Sequence, residues 1–426
     1  MNKKDQLQEI LEYIPSGAQT LSKNPSQYVI GVTPLQIAKG EGAYIWDTDG
    51  KKYLDMMLAL GPMTFGYANP RIDAAVKAQI DRGTIYTLPS DQELRLAKLL
   101  REVVPCAEMS RLVLNGNDAT SGAIRLARHI TKRDHVIKCG YHGWQDWSVA
   151  NKSGRNAGVP EIVKTLTHEF TYNDIASLEK IFADYGDKIA AVIMEPAASE
   201  KPKDGFLAAV KELVHKHGAI FIFDEMVTGF RFALGGAQEY FGVVPDIACF
   251  GKGISGGYPI SVIAGKADIM KRMDEVFVSM TFGGYTLGIA AAIEVIAMMR
   301  EFGDVHSHMH ELGTYLITKG NNIAKQYELP IEFIGFGPHP VMQVPLEDYI
   351  SRLVKTYIYQ EMHEAGIFFS SSMMIGYIHT KEHIDTVLVE LEKICATLAT
   401  VRSDFKQLEP LIHGQVVAPR TVRVQQ

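Results

Sequence analysis

The sequence predicts an α/β protein: a large domain on a mostly parallel sheet with helices on both faces, joined to a smaller α+β domain. Three observations predict it. Between about residues 60 and 300, short apolar runs alternate with amphipathic helical patterns, as in strands joined by crossover helices. Each apolar run ends in a polar or glycine-bearing loop, and open α/β sheets gather their sites at such strand ends. From about residue 301 the pattern changes to long helices flanking short extended pieces. The expected division is an N-terminal segment, 1–60, packing with the small domain; a large domain, 61–300; and a C-terminal small domain, 301–426. The N-terminal segment is assigned to the small domain because chain termini often lie close together.

Taken in order, Leu7, Ile10, Leu11 and Ile14 recur at helical spacing and predict a short amphipathic docking helix. The stretch AYIWDTDGKKYLDM, 43–56, reads as a hairpin around Asp49-Gly50. Six short runs read as strands from their β-branched and aromatic content: RLVLN (111–115), HVIKC (135–139), IAAVIME (189–195), AIFIFDE (219–225), IACF (247–250) and ISVIAG (260–265). Between the first two, NGNDATSGAIRLARHI turns into a helix with an apolar face of Ala123, Ile124, Leu126, Ala127 and Ile130. Beyond 301, helices around 307–326, 348–364 and 381–401 flank extended pieces such as FIGFGP and IFFSSSMMIGYIH.

Composition excludes several function classes. The 426 residues are 46% hydrophobic and 22% charged with a net charge of -6, and no Lys/Arg run appears, which argues against nucleic acid. The N-terminus starts basic but lacks the apolar stretch of a secretory signal. No apolar run approaches the roughly 18 residues needed to span a bilayer. Cys106, Cys139, Cys249 and Cys395 are far apart and form no C-x-x-C, which reads as a reduced, cytoplasmic protein.

The segment IACFGKGISGGYPISVIAG, 247–265, contains a G-x-G-x-x-G of Gly251, Gly253 and Gly256. A dinucleotide site needs those glycines to open a helix. Here Tyr258 and Pro259 lead into another strand-like run, so no helix receives a pyrophosphate. The segment reads instead as a strand-to-strand turn carrying Lys252, with glycines making room for something bulky beside it. Plain loop glycines and a solvated lysine are the alternative.

The polar residues at the other strand ends are Asn115 to Asp118, Tyr141-His142-Gly143, Glu195 and Asp224-Glu225. A lysine, a buried aspartate, an aromatic loop and a glycine-bearing turn before a helix are what pyridoxal 5′-phosphate needs. The lysine amine forms a Schiff base with the aldehyde. The aspartate keeps the pyridine nitrogen protonated, so that the ring draws electrons. The phosphate seeks backbone N–H groups at a helix N-terminus. An aromatic ring covers one face. Each assignment has a plainer reading: Asp224 capping a turn, Tyr141 as core, Gly116 and Asn117 as an ordinary helix start.

The stretch FDEMVTGFRFALGGAQEYFGVVPDIACFGKGISGGYPISVIAG resembles the lysine region of class III (subgroup II) pyridoxal-phosphate aminotransferases, in particular glutamate-1-semialdehyde aminomutase and its relatives. EGAYIWDTDGKKYLD, LGPMTFGYANP, DATSGAIRLAR, YHGWQD and GIFFSSSMMIGYIHT fall in family order, so the resemblance spans most of the chain. It implies the fold-type I architecture and a homodimer with sites at the subunit interface. It also implies Lys252 as the Schiff-base lysine and Asp224 as the pyridinium partner. Gly116 and Asn117 would hold the phosphate by backbone amides, where the family usually has Ser-Gly-Thr. Tyr141 would stack on the ring with His142 beside it, Met226 would cover the opposite face, and Thr281 would reach the phosphate of the partner subunit.

The departures bear on substrate. The aminomutase has an N-terminal arginine for the substrate carboxylate; SGAQTLSKNP offers Lys23 or Ser22 near that place and no arginine, and lysine lacks the bidentate fork. The aminomutase also has a glutamate where this chain reads SSSMMIG. MEPAASE carries Glu200 where many ω-aminotransferases keep a glutamate, and TFGGYT resembles relatives acting on sugar or polyol aldehydes. Arg231 is the other candidate for a carboxylate, with a structural anchor as its alternative. The expectation is an aminotransferase moving an amino group from a donor such as glutamate to an aldehyde or ketone, sugar-derived in kind, by ping-pong steps. An aminomutase is the second reading and a non-catalytic relative the third. No metal site is expected: His306, His308 and His310 fall in a helical pattern, where alternate residues point apart. Glu225 should face away from Asp224 on the same strand.

Overall fold

The computed structural model describes residues 3–152, 154–197 and 199–419, so residues 420–426 of the expected C-terminal domain lie outside it. The described chain divides into two compact units, Pro70–His306 and the combination of 3–69 with 307–419.

The unit Pro70–His306 is built on a seven-stranded sheet. Its order is Met109–Val113, Ser261–Gly265, Ile247–Phe250, Ile220–Glu225, Ile189–Met194, His135–Cys139 and Thr167–Glu169. Neighbouring strands from Ile247–Phe250 to Thr167–Glu169 run parallel. Ser261–Gly265 runs antiparallel to both of its neighbours. The connection explains the exception: residues 251–260 carry no crossover helix, and a short turn returns a chain only antiparallel to the strand it left. The central strands are continuous apolar runs because both faces are covered, and every residue of Ile189–Met194 is buried.

The helix Gly116–Thr131 lies on one face of this sheet. Ala119, Ala123, Ile124, Leu126 and Ala127 pack with Val136, Ala191, Ile193, Ile222, Cys249 and Ile263 in one core cluster. Helix and sheet approach so closely that a Cβ at Gly122 would sit 2.6 Å from Ile263 Cδ1. The first strand ends at Val113 rather than Asn115, because Asn115 is already the extended N-cap residue of that helix.

The other unit holds a four-stranded sheet, Ile37–Glu41, Tyr44–Asp47, Lys52–Asp55 and Ile367–Phe368, and a hairpin of Glu332–Phe336 with His339–Gln343. The Asp49-Gly50 turn forms as its residues suggest: Asp47 Oδ1 accepts the amides of Asp49 (3.1 Å) and Lys51 (2.8 Å), and Gly50 takes φ +84. The helices are Val305–Gln326, Asp348–Glu364 and Lys381–Thr400. His306, His308 and His310 lie in the first of these, and no cluster of three metal-capable side chains occurs among the described residues. The N-terminal helix forms at Lys3–Tyr13, yet none of its residues is fully buried and Leu11 is 49% exposed, so its docking is shallower than the apolar spacing suggests. Among the described residues no helix is long and apolar enough to cross a membrane.

Candidate active site

Parallel strands deliver their carboxyl ends to one edge of the sheet, and the polar residues of the large unit meet there. Lys252 follows Ile247–Phe250. It opens a 3-10 turn, Lys252–Ile254, and takes φ +47, a left-handed conformation that a non-glycine residue seldom adopts. Such strain collects at functional sites when the surroundings over-determine it. The surroundings here are tight. A Cβ on the preceding Gly251 would lie 2.7 Å from both Met226 Sδ and Ser261 Oγ.

Asp224, near the end of Ile220–Glu225, is 3% exposed. Its Oδ1 accepts the Met226 amide at 3.0 Å, and its Oδ2 lies 2.8 Å from His142 Nδ1. His142 Nε2 lies 3.1 Å from the Cys139 carbonyl oxygen. A carbonyl only accepts, so Nε2 carries a hydrogen. Trp147 stacks on the His142 ring at 6.1 Å with planes 12° apart. Glu225 points to the other side of the strand. Its carboxyl accepts from the Thr228 hydroxyl and from the amides of Ala237 (2.8 Å) and Gln238 (3.0 Å), and burial pushes its pKa up. It organises the chain after the strand rather than the site.

Gly116 begins the helix Gly116–Thr131, and a Cβ there would stand 2.8 Å from Met226 Sδ. Met226 therefore sits between Gly116 and Gly251 and joins the helix start to the Lys252 turn. The helix is capped by a reciprocal box. Asn115 Oδ1 accepts the amides of Asn117 (3.0 Å) and Asp118 (3.1 Å), and Asp118 Oδ2 accepts the Asn115 amide at 3.2 Å. The Asn117 amide is thus already engaged by its own cap. The Gly116 amide, one position earlier, is the better placed for an anion. The Asn117 side chain instead reaches the next loop, where Oδ1 accepts the Trp144 amide at 3.2 Å.

Tyr141 follows His135–Cys139. It is 41% exposed, and its amide donates to Glu195 Oε2 at 3.0 Å. Thr281 stands on an exposed turn next to Phe282. Glu200 is exposed and accepts from Asn173 Nδ2 at 3.2 Å. Lys23 lies exposed on the turn Leu21–Lys23 of the other unit. Arg231 is enclosed at 1% exposure. Its Nε donates to the Val227 carbonyl at 3.1 Å, and burial lowers its pKa to about 10. The Val227 bond ties Arg231 back to the turn that follows Asp224. Sequence reasoning passed over Thr120 and Ser121. Both lie about one helical turn beyond the phosphate-like turn, on the side that meets the aromatic loop, and the available signal was i, i+4 spacing, Thr120 from Gly116 and Ser121 from Asn117.

These features fit pyridoxal phosphate. Two glycine cradles flank a half-buried methionine, a helix N-terminus adjoins them, and a buried carboxylate is held in place by two hydrogen bonds. Comparison with known proteins gives the same reading. Residues 28–395 match the family model for aminotransferase class III. The chain belongs to the class-III aminotransferases. It is similar to glutamate-1-semialdehyde 2,1-aminomutase of Syntrophobacter fumaroxidans, 34% identical over 420 residues, covering 90% of this chain and 96% of the relative. It is also similar to 3-aminobutyryl-CoA aminotransferase of Cloacimonas acidaminovorans, 33% identical over 404 residues and covering 93% and 96%. Among solved structures, FumI of Sphingopyxis sp. MTA144, in its PLP internal aldimine form, superposes with a TM-score of 0.87 at 25% identity, covering 98% of this chain and 99% of that one.

This class-III aminotransferase is a pyridoxal-phosphate enzyme of fold type I. Glutamate-1-semialdehyde aminomutases belong among its relatives as squarely as aminotransferases do.

Proposed function

We propose that this enzyme moves an amino group from an amino-acid donor, glutamate, to a separate aldehyde or ketone, sugar-derived in kind. The observation that carries the reading is the C-terminal loop. Where the aminomutase has a glutamate, this chain reads SSSMMIG, residues 370–376, a stretch without a carboxylate in which Met373, Met374 and Ile375 are buried. The N-terminal stretch adds to it, with Lys23 in place of a forked arginine. The aminomutase remains the second reading, favoured by the relatives of that name.

When bound, pyridoxal phosphate supplies an aldehyde for amines and a ring that takes up the electron pair left by a departing proton. The chain's residues do the rest. Lys252 Nζ is the tether and then the base that lifts a proton from the donor carbon and returns it elsewhere. Asp224, held by His142 and the Met226 amide, keeps a proton on the ring nitrogen. The Gly116 amide and the helix dipole hold the phosphate, with Asn117 beside them. Tyr141 and Met226 would cover the ring when the cofactor is bound. Lys23 and Glu200 stand as substrate contacts, whereas Arg231 is read as an anchor. Thr281 reaches the phosphate of a partner subunit in a homodimer. The exposure of Phe277 (82%) and Phe282 (54%) near Thr281 supports a covering partner. Four buried free cysteines support a cytoplasmic setting.

The test uses a donor with isotopically labelled amino nitrogen and mass detection. Label appearing in a second molecule is expected. Isomerisation of a single amino-aldehyde with its own nitrogen retained, and no label in any acceptor, would establish the mutase instead.

A further inference from the structure

We propose that Asn117 is a positioning residue. Its side chain fastens the 141–147 segment to the first turn of the helix Gly116–Thr131, so that the parts holding the phosphate and the ring move as one body. The inference rests on the cofactor reading of Tyr141 and Gly116 given above. It goes beyond that reading because it assigns the side chain of Asn117, not its amide, the decisive part.

The bonds converge on one helix. Asn117 Oδ1 accepts the Trp144 amide at 3.2 Å. Thr120 Oγ1 donates to the His142 carbonyl at 2.9 Å. Trp147 Nε1 donates to Ser121 Oγ at 3.0 Å. The aromatic segment is thus tied near its start, at its centre and at its end to the opening turns of a single helix. Between the first two ties, Gly143 takes φ +110, and a Cβ on it would overlap Asn117 Oδ1 and come within 2.8 Å of Gln145 Oε1. The asparagine side chain fills the space that the glycine leaves open. Only an acceptor two bonds beyond Cβ reaches the Trp144 amide from this position. The threonine usual in the resembling family would end one bond short. The Asn117 amide is meanwhile held by Asn115 Oδ1, which fixes the side chain's point of departure.

The fastening acts on function through its neighbours. His142, whose carbonyl Thr120 holds, orients Asp224 at 2.8 Å. Tyr141 is tied at its amide to Glu195. Releasing Asn117 frees the centre of this segment while both ends stay anchored. The cofactor ring then loses the fixed pose of its cover, and the fold is kept.

The experiment compares the full-length chain with Asn117→Ala, Asn117→Thr and Asn117→Asp. Hydrogen–deuterium exchange is followed on peptides spanning 141–147. In the cofactor-free protein the Ala and Thr variants should exchange the Trp144 amide at least about tenfold faster than the parent, as a lost hydrogen bond of ordinary strength implies. The Asn117→Asp variant is read only without cofactor, because its added charge would repel a phosphate. It keeps an acceptor at the same place and should retain the parent's protection. In the holoenzyme, Ala and Thr should release cofactor about threefold to tenfold faster and show weaker visible circular dichroism, while the melting temperature of the cofactor-free protein stays unchanged. Unchanged exchange in Asn117→Ala overturns the fastening itself. Faster exchange with unchanged dichroism and cofactor release overturns the coupling to the ring and lays the failure on the Tyr141 reading. A lowered melting temperature with neither change makes Asn117 a structural cap and also overturns the proposal.

Discussion

Lowering the pH from 7.5 to 5 should destabilise the unit formed by 3–69 and 307–419 through two buried histidines. His363 Nδ1 lies 2.8 Å from the Thr33 hydroxyl, and Nε2 donates to the Phe369 carbonyl at 2.9 Å. His379 Nδ1 accepts the Gly376 amide at 3.2 Å, and Nε2 donates to the Asp55 carbonyl at 3.1 Å. Both are fully enclosed, and burial lowers each pKa to about 4; nearby Lys3 and Lys51 add to this for His363, and His383 and His308 for His379. In the unfolded chain a histidine titrates near 6.5. The unfolded state therefore takes up protons first as the pH falls. Stability from these groups is full above about pH 6.5, declines toward pH 4, and changes no further below that. Each histidine then costs about 2 kcal/mol at pH 5. The assay is urea unfolding followed by circular dichroism at both pH values, for the parent and for His363→Gln. The variant starts less stable, because it loses packing and a bond to Thr33, but its change between the two pH values should be smaller by about 2 kcal/mol. His135 and His168, also lowered by burial, contribute equally to parent and variant and cancel in the difference. Identical pH dependence in the two proteins would refute the reasoning, since it would mean that His363 titrates alike folded and unfolded.

Three further outcomes are expected at the site. Lys252→Ala should abolish turnover while cofactor binding stays measurable, and borohydride should no longer fix the cofactor to the chain; a reducible lysine adduct in that variant would remove Lys252 from its role. Asp224→Asn should keep the cofactor and lose most activity, and activity within about twofold of the parent, roughly 0.4 kcal/mol, would show that Asp224 does not face the ring nitrogen. Arg231→Met should lower the melting temperature with the donor KM unchanged, because its guanidinium is enclosed and its Nε binds the Val227 carbonyl; a KM raised tenfold or more at unchanged stability would make it a carboxylate binder after all.

The sequence by itself determined six of the seven strands of the large sheet, missing only the three-residue edge strand Thr167–Glu169, together with the helices beyond 301 and the strand-end positions of the candidate residues. Those signals are local. IAAVIM is continuous and apolar because a strand covered on both faces has no polar side, and the hairpin at Asp49-Gly50 follows from the conformations those two residues accept. The return of the chain after Lys252 was legible for the same reason, since Tyr258-Pro259 forbids a helix there and a short turn forces an antiparallel neighbour. Only the tertiary structure decided which distant residues meet. His142 and Asp224 are 82 positions apart, and Asn117 and Trp144 are 27. No periodicity carries such pairings, because they depend on the order of strands in the sheet. The first strand, Met109–Val113, stands at one edge beside the last, Ser261–Gly265, and that order brings the helix after the first strand against the loops of the others. Arg231 shows the same limit. Its sequence neighbours leave a carboxylate binder and an anchor equally open, and the choice rests on how much of the folded chain closes over its guanidinium.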